Sequence, residues 1–231
     1  MNLAETEYWI DSLLPGEMTV WELQAALPGT GRHAGPAHGE PFTVGVAEGV
    51  CATLDLSRFD SGLRTPDGAE VRVELVTAAA ADLPAADFLA TAATIVSESA
   101  GTIPPTPGTL LPEAMTWTLA DLADGGQEVP AGLTVAHGML IEPRVWSRGT
   151  PTVTEAPGRV HVHDADPGPH PEAGPAPAGR ITTIAQLIAI SEGELALARA
   201  EGPAALLAAL AAAGADPGDW RRAPVAPAPG R

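Results

Sequence analysis

Apolar positions along the chain recur with two periods, and stretches rich in glycine and proline separate one from the other. The period of two is clearest at 69–78, AEVRVELVTA. Val71, Val73 and Leu75 face one way there, and Arg72 and Glu74 the other, as on a strand. Residues 42–56, FTVGVAEGVCATLDL, read as strand, turn, strand, with Thr53 and Asp55 alternating against Leu54 and Leu56. Residues 132–146 are strand-like and contain His137, which is expected to be a hydrogen-bonded core or edge residue. RITTIAQLIAI, 180–190, is apolar enough to run centrally in a sheet.

The helical period appears at 83–99, where Leu89, Ala92, Ala93 and Val96 share a face that Phe88 and Ile95 widen. Asp82 is its expected cap, with Pro84 in the first turn. TVWELQAAL, 19–27, predicts a short helix in which Thr19 and Glu22 form a capping box, ended by Pro28 and Gly29. Ser191 and Glu194 stand in the same relation before a helix that runs to about Ala200. Gly202 ends that helix, and Pro203 opens a second one with Leu206, Leu207 and Leu210 as its buried stripe. Residues 115–123 fit neither period clearly. Pro104, Pro105 and Pro107 in GTIPPTPGTLLP forbid helix there, and SRFDSGLRTPDG is a loop with a Pro-Asp-Gly turn. Residues 147–179 break in composition: from Asp166 to Gly179 there are five prolines and three glycines, too little apolar area to offset the entropy of ordering.

These elements predict an α+β fold, a mixed β-sheet flanked by helices with a C-terminal helix pair. Residues 1–41 form an N-terminal helix and loop, and 42–222 the main domain, with a mobile insert at 147–179. Residues 223–231, after Arg222, are an expected disordered tail.

Charge narrows the partners. The 231 residues hold 29 carboxylates against 12 cations, a net charge of −17. Such a surface repels phosphate backbones and anionic lipid, so neither nucleic acid nor membrane is an expected partner, whereas a basic protein is drawn to it. All 12 cations are arginine. The lack of lysine removes Walker-type phosphate loops, Schiff-base catalysis and the protein-kinase apparatus. The N-terminus has no basic region followed by an apolar run, and no stretch reaches the length of a membrane span, so a cytoplasmic location is expected.

Candidate chemistry is sparse. The single cysteine, Cys51, sits in the apolar run VCATLDL and is expected to be a core residue. GTGRHA within the loop 28–41 matches a loose dinucleotide-binding pattern, but a helix is expected before it and Gly35 and Pro36 follow, so it lacks the strand–turn–helix context. No serine sits in Gly-x-Ser-x-Gly. In RVHVHD, an extended strand puts His161 and His163 on one face, about 6.6 Å apart, where two imidazoles can converge on a metal. Asp164 and Asp166 would point away from that face, His170 lies among prolines, and no histidine follows it. The expectation is therefore no metal, no cofactor and no catalysis, with a metal-dependent enzyme using His161 and His163 as the alternative. Self-association as a structural or regulatory domain is a third reading.

The ordered set of segments resembles the suppressor-of-fused domain family. The C-terminal stretch ITTIAQLIAISEGELALARAEGPAALLAALAAAGADPGDWRR follows that family's sequence of apolar strand, Glu-initiated helix, glycine, Leu-rich helix and acidic-aromatic-Arg-Arg ending. Upstream, CATLDLS is similar to the family's Thr-x-Gly-Leu-Ser turn, with Asp55 where the family has glycine. AEVRVELVTAA, the Ala-rich helix with IPPTPGTLLP, and VAHGMLIEP complete a likeness that spans about 45–222. The resemblance implies an α+β protein-binding domain without catalytic activity. With an alanine-rich composition free of lysine, it implies a bacterial stand-alone member, for which the role is an immunity protein that neutralises a cognate toxin. Binding residues are expected in loops on the rigid scaffold. Asp55, Arg58, Asp60 and Arg64 occupy one such loop; Asp219, Trp220, Arg221 and Arg222 form either another charged end with an aromatic anchor or a core-capping Trp220 whose neighbouring arginines pair with local carboxylates.

Overall fold

In a computed structural model, which describes residues 1–27, 37–38, 40–156 and 179–227, the chain folds around one mixed sheet. Its strands are β1 (Thr19–Leu23), β4 (Phe42–Ala47), β5 (Val50–Thr53), β6 (Leu63–Arg64), β7 (Glu70–Ala78), β8 (Leu110–Leu111), β9 (His137–Ile141), β10 (Thr152–Glu155) and β11 (Arg180–Ile190). A separate two-stranded ribbon joins β2 (Ala26–Leu27) and β3 (Ala37–His38). The main sheet runs β1-β4-β5-β7-β11-β9-β8, with β6 on β7 and β10 on β11. The pair β7–β11 is parallel and the other pairs are antiparallel. Among the described residues five α-helices pack on the sheet: α1 (Leu3–Asp11), α2 (Ala85–Glu98), α3 (Ala114–Asp124), α4 (Glu192–Glu201) and α5 (Pro203–Ala212). This is the expected α+β class with its C-terminal helix pair.

The apolar run of β11 has a direct physical cause. Its odd positions Ala185, Leu187 and Ala189 join the core under α2 and α3, with Phe88, Leu89, Met115 and Trp220. Its even positions meet two other clusters on the opposite face. Ile184 packs with Ile10, Leu14 and Leu54 beneath α1, and Ile188 and Ile190 pack with Leu195, Leu206 and Leu210 beneath α4 and α5. A strand covered on both faces has no solvent side on which to carry polar residues. Leu206 and Leu210 are buried as expected, each contributing about 1.5–3 kcal/mol, while Leu207 is half-buried.

Double coverage also reshapes β7. The alternation at 69–78 holds, but α1 and the chain after β5 cover its polar side, so Arg72 and Glu74 are buried too. Ser191 caps α4 with Glu194 returning to the Ser191 N–H, as expected. The ambiguous stretch 115–123 is helical, as α3. α2 begins at Ala85 with Pro84 at the cap position, and Asp82 pairs with Arg221 instead of capping.

Three expectations are corrected. Residues 19–27 form no helix but β1 and β2. Val20 and Trp21 suit a pleated surface, β4 pairs with the strand along its length, and the Thr19 hydroxyl donates to Val46 O (3.2 Å) rather than closing a capping box. The N-terminal helix lies earlier, where Asn2 and Glu5 form the capping box of α1. The stretch 147–179 is not all loop, because Thr152–Glu155 pairs antiparallel with Arg180–Thr183; its residues 157–178 lie outside the described set. The tail after Arg222 is packed at least to Pro227. Val225 N–H donates to the Glu194 carboxylate (3.1 Å), Ala226 is buried, and the Ala226 and Pro227 carbonyls lie against Gly193.

Candidate functional site

The first expected cluster does assemble, around a 3₁₀ turn at Leu56–Arg58, but much of it is engaged inward. Asp55 is buried and accepts from the Thr43 N–H and hydroxyl, both at 3.1 Å. Burial pushes its carboxyl up, against the opposing pull of the Thr43 bonds and Arg58. Arg58 lies over the Phe42 and Phe59 rings (5.5 and 4.7 Å), donates to Pro41 O (3.1 Å) and meets Glu40 (3.2 Å). Asp60 and Arg64 pair through both guanidinium nitrogens (3.1 and 3.0 Å), a bond that holds the Asp60 carboxyl well below its usual range. The exposed pair thus neutralises itself.

Behind this turn stands Glu74, which periodicity did not single out. It is wholly buried, and its carboxylate accepts from the Thr53 hydroxyl (2.5 Å), Leu56 N–H (3.1 Å) and Ser57 N–H (3.0 Å). Among the described residues no cation is bonded to it, and burial pushes its carboxyl up to about 7. It acts as an internal cap that fixes the 3₁₀ turn to β7.

The second expected cluster is mostly core. Trp220 is fully buried and meets Phe88 edge-on at 5.3 Å. Arg222 is buried and donates to Glu194 (2.7 Å) and Ala189 O (3.2 Å). Neither is an exposed anchor: Trp220 caps the core and Arg222 pairs with a carboxylate, the second of the two expected readings. The aromatic-Arg-Arg ending fastens the C-terminus to the sheet instead. Asp219 and Arg221 are exposed, and Arg221 pairs with Asp82 (2.8 Å).

His137 fulfils its expected structural role. Its Nδ1 accepts from Glu113 N–H (2.8 Å), so Nε2 carries the proton and donates to Glu192 (2.7 Å). Cys51 is buried, and burial, reinforced by Asp87, pushes its thiol up to about 12. Among the described residues no group of three or more His, Cys, Asp or Glu is placed to hold a metal ion. His161 and His163 lie outside the described residues, as does most of the GTGRHA loop. No helix among the described residues is long and apolar enough to cross a membrane.

The exposed large hydrophobic residues mark a different place. Leu3 and Tyr8 on α1 and Val20 and Trp21 on β1 are exposed, Tyr8 by 80% and Trp21 by 50%; Val129 stands apart in sequence. β1 ends the sheet, and α1 packs on its neighbour β4. Carboxylates accompany this apolar set. Glu5, Glu7, Asp11, Glu17 and Glu22 precede the first basic side chain, Arg32. Val20 and Trp21 point to opposite faces of β1, since Trp21 stands opposite Val44 and Val20 opposite Gly45. Its strand period was hidden by the Thr19–Glu22 pattern, although the adjacent Val20 and Trp21 favour a strand. No family model matches this chain, and no curated protein matches it either.

Proposed function

We propose that the protein is a non-catalytic protein-binding domain of suppressor-of-fused type that docks a basic protein on its N-terminal unit, α1 and β1. The observation that carries this reading is the exposure of Val20 and Trp21, one on each face of the terminal strand of the sheet. Lone exposed apolar residues are ordinary; here two fall on one terminal strand and two on α1, within residues 3–21 of a chain of charge −17, which supports a protein partner at this unit. The non-catalytic part draws on His137 and Cys51, whose reactive atoms are engaged or buried in packing. The immunity role is what the family resemblance implies, the bacterial source rests on the alanine-rich, lysine-free composition and the cytoplasmic location on the sequence expectation above, with a basic toxin domain as the partner.

Affinity capture at low salt from the source cells tests the reading, using the wild type and Trp21→Ser. A basic protein retained by the wild type and lost with Trp21→Ser, at unchanged melting temperature, supports it. No retained protein, or equal retention by both, overturns it. The retained protein, expressed alone, is then expected to arrest growth, and co-expression of the wild-type chain to relieve the arrest.

A further inference from the structure

The backbone of the terminal strand narrows what the apolar surface can hold. Thr43 N–H donates to the Asp55 carboxylate (3.1 Å) and Thr43 C=O accepts from Leu54 N–H (2.9 Å), so the Thr43 backbone points towards β5. Successive residues of a strand send their backbone groups to opposite edges, so Phe42, Val44 and Val46 point to β1. The Thr19 hydroxyl on Val46 O marks the same direction. The register partners of those residues are Leu23, Trp21 and Thr19, and these carry the ladder bonds. Val20 and Glu22 therefore send their N–H and C=O groups outward, past the last strand, where no described residue meets them.

Natural sheets guard such an edge with lysine, proline, a bulge or a covering segment. β1 has no lysine, proline or bulge: its sequence is TVWEL, and all five residues pair in unbroken register with β4. Four of the five are exposed. Its side chains divide by face. Trp21 stands opposite Val44 on the face of α2, and Val20 and Glu22 stand opposite Gly45 and Thr43 on the face of α1. A strand added here would lay alternate side chains against Trp21, where apolar groups fit, and against Glu22, where a cation fits.

We propose that β1 takes up an extended segment of a partner protein, alternating apolar and basic residues, as an added strand of the sheet. This rests on the protein-binding role proposed above and supplies its mode and chemistry. Charge favours such an occupant over a second copy of the chain. Two molecules of charge −17 repel, and antiparallel pairing of two β1 strands would bring together two segments that carry five carboxylates and no basic side chain each. A basic segment meets the same field as attraction, which speeds its association at low salt.

The probe is a capped nine-residue peptide alternating arginine and valine, compared with its glutamate–valine counterpart. Calorimetry gives affinity, and amide hydrogen exchange followed by NMR gives the place. The arginine peptide is expected to bind, to slow exchange at the Val20 and Glu22 amides by tenfold or more, and to leave the already paired Trp21 amide little changed. The glutamate peptide is expected not to bind. Val20→Pro removes an outward N–H that β4 does not use, a position where a sheet edge tolerates proline, and is expected to weaken binding at least tenfold. Glu22→Arg, an exposed change that leaves the backbone alone, is expected to do the same should Val20→Pro disturb the fold.

Equal binding to wild type and both variants, or binding without slowed exchange at Val20 and Glu22, would show adhesion to the acidic surface in general and would sink strand addition. Concentration-dependent protection of Val20 without peptide would identify a second copy as the occupant and sink it too. A partner captured by wild type and equally by Val20→Pro, but lost with Trp21→Ser, would leave the protein-binding role standing and remove only this mode.

Discussion

Glu74 shows how much one buried carboxyl can govern. It holds the 3₁₀ turn through three donors with no cation among the described residues bonded to it, so its charged form is held out of water at a cost. Its folded-state value, about 7, lies above the ordinary 4.5, so protonation favours the fold. The stabilisation is complete below about pH 4.5 and is lost as pH rises through about 7, on the order of 3 kcal/mol in all. Urea unfolding at pH 5 and pH 8 checks this. The wild type is expected to lose more stability across that interval than Glu74→Gln, and equal losses would remove Glu74 as the cause. The residue was legible as the polar member of a strand alternation, but its burial was not. The cover comes from α1 and the turn after β5, and no local pattern announces that a second layer will lie over a polar face. Trp220 left two readings open in the sequence. Its place beside two arginines and an aspartate suggested a surface, whereas its size and apolar ring fill the space beside Phe88.

Among the elements, α4 was readable from Ser191 and Glu194 because a capping box is a contact within four residues. The same four-residue logic misread Thr19–Glu22, where pairing with β4, far along the chain, outweighs the local preference. The C-terminal segment was hidden by its composition, since APVAPAP resembles a free tail, yet Glu194 and Gly193 hold it to the first turn of α4. A methyl group at Gly193 would stand 2.2 Å from Ala226 O and 2.4 Å from Pro227 O. Gly193→Ala is therefore expected to displace residues 225–227. Limited proteolysis should then cleave after Arg222 at least tenfold faster, with the circular dichroism of the sheet unchanged. Unaltered cleavage would mean that the segment can shift sideways and stay packed.

At the level of the whole molecule, the class of fold followed from β11. Its apolar residues fall on both faces and require cover on each, and sheet plus helices on each side is the arrangement that supplies it. Leu187 and Ile188 are neighbours in sequence but belong to cores on opposite faces. Leu187→Ala and Ile188→Ala are each expected to cost about 2–5 kcal/mol in denaturant unfolding, with nearly additive effects in the double variant, since the sheet separates the two cavities. A strongly non-additive result would indicate that the layers relax together. Strand order was not legible, because pairing partners lie far apart in sequence. Glu70 and Arg180, opposite each other in the parallel β7–β11 pair, are 110 residues apart along the chain. During synthesis, β7 emerges long before its central neighbour exists. Until residues 180–186 leave the ribosome it has one open flank, and the half-built sheet is then a natural client for a chaperone.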